Sequence, residues 1–495
     1  MGATTDHAVV VAGGGPTGLM LAAELALAGV DAVVVERRTS QDLDGSRAGG
    51  LNARTLEVLD QRGVAERFLD AGEAMQIHTF AWVPLDISDL PTRFNFGLAL
   101  WQKEIERILA EWVIGDLGVA IRRGCEVTGF EQDAAGVDVE LSEGTSLRAA
   151  YLVGCDGGRS VVRKAAGIDF PGLDATASWM IAEADMDDEP ETGLRPEGGG
   201  IGPVDRTTDA GGPYRIVLKE AGVGTGEPSF DDLRDTLVAA YGTDFGVRPP
   251  RWLSRFSDAS RQAASYRRGR VLLAGDAAHI HPPQGGQGLN TGVQDAVNLG
   301  WKLAQVVEGV SPDDLLDTYH AERHPVGARA QQLTRAFVAL TIPDGRHDAA
   351  RELVAELLTM EEPRMHLAAS LCGLDIRYDL GQGHPLVGRR MPDLDLATAD
   401  GPTRVFATLH DARPVLLRLG GSAGSNGSDL ATWADRLRVV DATFDGAWAL
   451  PVVGEVAAPP AVLIRPDGHV AWAGDPGDAG LPQALCRWFG PAVAA

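Results

Sequence analysis

Cysteine is scarce. The 495-residue chain has four, Cys125, Cys155, Cys372 and Cys486, with no C-x-x-C and no paired spacing. That excludes a disulfide framework and offers no zinc-site pattern, so a reducing cytoplasm is the expected compartment. Basic residues are in deficit as well: 44 Lys and Arg stand against 69 Asp and Glu, a formal net charge of −25. Such a surface repels a phosphate backbone and an anionic bilayer, which sets aside nucleic-acid and membrane roles. Long uninterrupted hydrophobic runs are missing too. The nearest approach, Ala8 to Val35, is broken by Gly13-Gly14-Gly15-Pro16, contains Glu24 and Asp31, and has no Lys or Arg before it. It therefore reads as neither a signal peptide nor a membrane span. What remains is globular material, 44% hydrophobic and 23% charged, long enough for two or three domains.

The same N-terminal run carries the first motif. His7 to Ala12 (HAVVVA) has the continuous apolar character of a strand buried on both faces, and it leads into Gly13-Gly14-Gly15-Pro16-Thr17-Gly18, a G-x-G-x-x-G. Gly13 permits the tight turn, Gly15 lets backbone approach a pyrophosphate, and Gly18 allows the next helix, about Thr17 to Ala28, to pack on the sheet with its N-terminus toward the phosphates. Gly29 stops that helix, and Ala32 to Val35 reads as a second parallel strand. Glu36 ends it, eighteen residues beyond Gly18, where a carboxylate accepts ribose hydroxyls. The order predicts an adenine dinucleotide site.

Two further segments follow the pattern of apolar strand, then Asp and Gly. Tyr151 to Arg163 reads YLVGCDGGRSVVR, with Asp156-Gly157 at the strand end and Ser160 and Arg163 behind it. Arg270 to Asn290 reads RVLLAGDAAHIHPPQGGQGLN, with Gly275-Asp276 at the strand end, a proline and glycine loop, and a helix expected from about Gln287 to Val307. An FAD site needs more than the fingerprint, because the ribityl chain and the ring must also be held, and glycines before a helix offer free N–H groups to the pyrimidine edge of a flavin. Simpler uses stand beside these. Asp276 has the alternative of capping the next helix, Arg159 and Arg163 that of being solvated charges. His279 and His281 lack the spacing and the nearby acid of a metal site, and His279 is expected to support the loop.

With these three motifs in this order, the chain resembles the single-component class A FAD monooxygenases, most closely the bacterial aromatic-polyketide hydroxylases and rifampicin-type monooxygenases. The resemblance runs over nearly the whole length. It implies FAD as cofactor, NADPH or NADH as co-substrate and O2 as oxidant, with oxygen transfer from a flavin C4a-hydroperoxide to a polycyclic aromatic substrate. It also implies that Gly275 and Asp276 bind the ribityl chain, and that Pro282, Pro283, Gly285, Gly286, Gln287, Gly288, Leu289 and Asn290 surround the ring, with Pro282 and Gly285 to Gly288 beside its reactive edge. By the same match Arg47 and Gln102 contact the diphosphate or ribityl region, Arg37 or Arg38 lies near the adenosine, and Asp156 and Gly157 serve flavin and nicotinamide. No side-chain nucleophile is required, and no base is assigned.

The remainder divides by character. The flavin-binding parts are expected at 1–74, 98–171 and 268–330, and a helical connection at 331–385. Residues 172–267, with alternation at Ser178 to Ala184 and Tyr214 to Lys219, glycine breaks at Gly198 to Gly202 and Gly222 to Gly226, and a helix near Phe230 to Tyr241, read as an antiparallel substrate sheet roofing the pocket, to which 75–97 adds strands. Residues 386–495 read as a small α/β unit. Its expected elements are strands at Pro414 to Leu419, Ala461 to Ile464 and Val470 to Ala473, a turn at Pro466-Asp467-Gly468, and helices at Leu430 to Leu437 and Leu481 to Phe489. Its order resembles thioredoxin without the redox motif.

The expected architecture is thus α/β: a Rossmann-type FAD-binding domain of the p-hydroxybenzoate hydroxylase kind, an inserted antiparallel substrate domain and a C-terminal thioredoxin-like domain. The expected activity is hydroxylation, with Baeyer–Villiger insertion, a dehydrogenase or oxidase, and a non-catalytic flavin-binding interaction protein as alternatives. A halogenase lacks support because no W-x-W-x-I-P occurs. A small aromatic molecule is the expected partner, and a homodimer the expected assembly.

Overall fold

The computed structural model describes residues 5–45, 47–195, 199–204, 212–342, 344–419 and 430–492. The chain begins as strand β1 (His7–Ala12), helix α1 (Pro16–Leu27) and strand β2 (Ala32–Glu36). Val9, Val10 and Val11 are wholly buried, as a strand covered on both faces requires. Pro16 opens α1, where a missing N–H costs nothing.

Helices α2 (Ala53–Asp60) and α3 (Gln102–Glu111) follow, then strands β3 (Ala120–Arg123) and β4 (Ser146–Gly154). β4 lies parallel to β1, β1 to β2, and β2 to β3.

The chain then leaves this sheet for a second one, antiparallel throughout, built on β5 (Ser178–Ala184), β6 (Tyr214–Lys219) and β7 (Trp252–Ser257), with β5 between the other two. Helix α4 (Phe230–Tyr241) closes it through Leu233 and Leu237 against Ala182, Ile216 and Leu218. A Ser229–Asp232 capping box starts α4 and left-handed Gly242 ends it. Of the expected break at 198–202, residue 198 lies outside the described residues, and Gly200–Pro203 is a strand paired with β6.

Residues 75–97 do not join this sheet. Glu73–Met75 pairs with Gly97–Ala99, which also pairs with Gly50–Leu51, and Ile77–Phe80 forms a hairpin with Val83–Asp86.

The chain re-enters the first sheet as β8 (Val271–Leu273), parallel to β4, and continues into α5 (Gln287–Val307) and α6 (Asp317–Leu340). α5 packs tightly on α1: a Cβ on Gly300 would stand 2.4 Å from the Glu24 Cβ. No described helix is long and apolar enough to cross a membrane.

The C-terminal part has its own six-stranded sheet, with Val415–Leu419 parallel to Arg438–Thr443 and antiparallel to Ala461–Ile464. Its final helix is Gly480–Phe489. Of the expected helix at 430–437, Leu430 is helical and Ala431–Trp433 form a short 3-10 turn.

Candidate active site

A cleft of about 1520 Å³ opens between the turns after β1, β4 and β8 and the inner face of the second sheet. At the first turn each glycine has its own geometric reason. A Cβ on Gly13 would meet the Cys155 carbonyl at 2.4 Å and one on Gly18 the Gly13 carbonyl at 1.9 Å, so both serve close packing. Gly15 is different: nothing lies within 4 Å of its Cβ position, and it lines the cleft with Pro16 and Thr17.

Glu36 stands behind this turn rather than on the cleft wall. Its carboxylate accepts from Gly14 N (2.6 Å), Arg38 N (2.8 Å) and Arg38 Nε (3.0 Å). Burial pushes its pKa up, but the Arg38 and Gly14 bonds outweigh that and hold it below the usual carboxylate value. Arg38 also reaches Glu106 Oε2 (2.9 Å) and the Gly14 carbonyl (3.2 Å), while Arg37 is exposed and off the wall. Glu106, on the wall and almost fully buried, gathers Gln41 Nε2 and Gln102 Nε2 at 2.8 Å each. The sequence reading missed it, although the four-residue spacing from Gln102 on α3 places both on one helix face.

At the turn after β8, Gly275 is left-handed (φ 61°) and its Cβ would meet Thr17 Oγ1 at 2.6 Å. Asp276 is exposed on the cleft wall, and no hydrogen bond or ion pair engages its carboxylate among the described residues. It caps neither the short 3-10 turn it sits in nor α5, whose N-cap is Gly286. Arg47 shares the wall, donating to Ser254 Oγ at 2.7 Å. Burial lowers its pKa and the field of Asp276 opposes that shift.

In the following loop, Pro283, Gly285, Gly286, Gly288, Leu289 and Asn290 line the cleft, and the Cβ positions of left-handed Gly285 and Gly286 are open. Pro282 and Gln287 do not line it. Pro282 is buried, its carbonyl taken by His281 Nδ1 (3.0 Å), and Gln287 turns inward to bind the carbonyls of Gly285 (2.9 Å) and Leu371 (3.0 Å). Both brace the loop because each sits on its protein side. Asn290 ties the loop to the N-terminal region: its Oδ1 accepts from Asn52 N (2.9 Å), and its Nδ2 donates to the Gly286 carbonyl (2.8 Å).

The Asp156 carboxylate is also committed to the protein. It accepts from Ser160 Oγ (2.6 Å), Val161 N (2.7 Å) and Val162 N (3.1 Å), leaving Gly157 as the wall residue of that pair. Arg163 is neither solvated nor on the wall; it binds the Ala277 and Gly158 carbonyls and lies 3.6 Å over the Phe170 ring. His279 supports the loop as expected, its Nε2 sharing a proton with Asp295 Oδ2 at 2.7 Å. Asp295 had no local signal in the sequence.

The other half of the cleft is aromatic. Trp179 and Phe256 stack at 5.5 Å and 7°, Trp101 carries the Arg215 guanidinium 4.8 Å over its ring, and Trp82 packs edge-on against Phe337. A long ligand with a phosphate, a polyol and a flat ring fits this layout. The open edges at Gly15, Gly157, Gly285 and Gly286 admit its backbone-side contacts, and the unpartnered Asp276 carboxylate accepts hydroxyl protons. Those are the features of FAD.

Comparison with known proteins agrees. Residues 6–334 match the FAD binding domain family and residues 384–492 match the family described as aromatic-ring hydroxylase, C-terminal. A rifampicin monooxygenase of Streptomyces venezuelae is 44% identical, over 98% of this chain and 99% of its own. The solved OxyS anhydrotetracycline hydroxylase from Streptomyces rimosus superposes with a TM-score of 0.90 at 43% identity, covering 98% of this chain and all of its own. A dialkyldecalin synthase of Streptomyces rugosporus is 40% identical over 98% of this chain and 99% of its own.

Proposed function

The chain belongs to the FAD-binding aromatic-ring hydroxylases and is a monooxygenase, and from that premise we propose that it uses NAD(P)H and O2 to hydroxylate a polycyclic, polyketide-like aromatic molecule. The observation that carries this reading is the continuity of one cleft, from the glycine turn and Asp276 at one end to the Trp82, Trp101 and Trp179 walls at the other. Bound FAD supplies hydride acceptance and the activation of dioxygen; the chain supplies position, charge and shelter.

Gly15 would give the pyrophosphate its approach, with Gly13 and Gly18 letting the turn close tightly and Pro16 and Thr17 at the N-terminus of α1, whose unpaired N–H groups and dipole favour an anion. Glu36 and Arg38 stiffen that turn on the adenosine side. Asp276, Arg47, Gln102 and Gly157, all on the cleft wall, would hold the ribityl chain. The N-terminus of α5, preceded by Gly285 and Gly286, would offer positive potential to the pyrimidine edge of a bound flavin.

Trp179, Phe256 and Trp101 offer flat apolar faces to a fused-ring substrate and keep water from the reacting centre. We read the C-terminal unit as thioredoxin-like and structural: its described cysteine, Cys486, is exposed and unpaired.

The test is direct. The purified protein should be yellow, oxidise NAD(P)H faster with an accepted polyketide present, and return a product heavier by one oxygen. A product of unchanged mass would favour cyclisation, the chemistry in the name of the 40% identical synthase. An oxygen placed between two ring carbons would favour Baeyer–Villiger insertion.

A further inference from the structure

Behind the cleft runs a buried polar chain that none of these roles uses. It begins at the Gly275 amide, which donates to Asp295 Oδ2 at 3.1 Å. The other oxygen, Oδ1, accepts Arg323 Nε at 2.7 Å, and Arg323 spends its Nη2 on the Thr291 carbonyl of α5 (3.2 Å) and its Nη1 on the Tyr378 hydroxyl (3.1 Å). The Tyr378 ring lies 4.3 Å from the His469 ring, just past the Pro466-Asp467-Gly468 turn of the C-terminal unit. That turn is itself clamped: the Pro466 carbonyl accepts from Arg62 and the Asp467 carbonyl from Arg54, each at 2.8 Å, and the Asp467 carboxylate holds Arg465 and Asn298.

Asp295, Arg323 and Tyr378 are almost completely withdrawn from solvent. Where water cannot replace a lost partner, each bond in such a chain fixes the next group along it. Around the Gly275 turn, Ala278 N donates to the Gly275 carbonyl (2.8 Å) and Arg163 holds the Ala277 carbonyl, but the Gly275 amide itself goes to Asp295, whose Oδ2 His279 Nε2 also holds (2.7 Å).

We propose that Tyr378 is a positioning residue for the flavin site: its hydroxyl fixes the Arg323 guanidinium, Arg323 fixes the Asp295 carboxylate, and Asp295 fixes the Gly275 amide and with it the aim of Asp276 into the cleft. The C-terminal unit thereby reaches the cofactor without any redox group. This inference rests on the reading that FAD lies against Asp276.

The experiment compares FAD dissociation constants and visible flavin spectra of wild-type holoenzyme with those of Tyr378→Phe, Asp276→Asn, the double variant, and Arg404→Met. The last cuts the ion pair to Asp60, which also joins the two parts of the chain, and the pair to Asp393 within the C-terminal unit; neither touches Gly275. Tyr378→Phe should weaken FAD about tenfold and shift the flavin band, while Arg404→Met changes neither. Added to Asp276→Asn, it should weaken FAD by less than a further twofold, because the aim of an absent carboxylate no longer matters. Should Tyr378→Phe fail to fold, His469→Ala withdraws the stacked ring instead and should weaken FAD about threefold. Unchanged FAD affinity with a lowered melting temperature, or a full tenfold loss on top of Asp276→Asn, would reduce Tyr378 to a structural role and overturn the proposal. A wild-type protein that binds no FAD would overturn the functional reading as well.

Discussion

Gly15→Val separates binding from folding more cleanly than any other substitution in the glycine turn. Gly15 has φ −79° and ψ −176°, a conformation open to every L-residue, and no atom lies within 4 Å of its Cβ position. The fold should therefore tolerate valine within about 0.5 kcal/mol, the range of a substitution that disturbs no packing or bond. The open space, however, is where the proposed FAD site would bring a pyrophosphate to the backbone. A branched side chain there removes about two charge-assisted hydrogen bonds of about 1.5 kcal/mol each, about 3 kcal/mol in all and thus a loss of about 100-fold in FAD affinity. Gly18→Val is the contrast, because its Cβ would collide with the Gly13 carbonyl at 1.9 Å, and it should not fold. The assay pairs the melting temperature of flavin-stripped protein with an FAD titration followed by fluorescence. Gly15→Val protein that keeps full flavin affinity, or that unfolds like Gly18→Val, would refute the reasoning.

Burial lowers His469 to a pKa of about 4 against the neighbouring Asp467, so between about pH 6.5 and 4 the unfolded chain takes up a proton that the native one refuses. Stability should fall by about 3 kcal/mol over that window, and His469→Gln should flatten the decline in urea titrations; an unchanged slope would contradict the assignment. Cys486→Ser should leave turnover and flavin reduction unaltered, and a loss of either in folded protein would reveal a redox role for the C-terminal unit. In stopped-flow mixing, NAD(P)H should reduce the flavin faster when an accepted aromatic ligand is present, because the open Gly285–Gly286 backbone permits a flavin shift that substrate biases. Equal rates would remove the gating and leave the monooxygenase reading intact.

What was legible in the sequence had local causes. The strand, glycine turn, helix and acid from His7 to Glu36 rest on neighbours in sequence, and so does α5, which runs from Gln287 to Val307 after the proline and glycine loop, as expected. The illegible parts depend on distant partners. Residues 75–97 are expected to extend the substrate sheet, but their strands pair with one another, with Glu73–Met75 and with Gly50–Leu51, contacts that no local pattern announces. Asp156 is an exception, since the Ser160, Val161 and Val162 groups that consume it lie four to six residues on, whereas Asp276, also ending a strand beside glycine, meets no such local donor and stays free on the cleft wall. Pro282 and Gln287 sit inside the loop after Asp276 by sequence but not on the cleft wall in space, Gln287 turning to the Leu371 carbonyl. Asp295, Arg323 and Tyr378 meet only once the helices and the C-terminal turn have packed.

The central claim is oxygen transfer to an aromatic molecule held beside the Trp179 and Trp101 walls. Its most direct test is turnover of an aromatic polyketide by the holoenzyme with NAD(P)H under isotopically labelled dioxygen, followed by mass spectrometry of the product. The account predicts one labelled oxygen per product molecule, with the label lost in Gly15→Val protein. A product without label, formed while NAD(P)H is consumed, would contradict it.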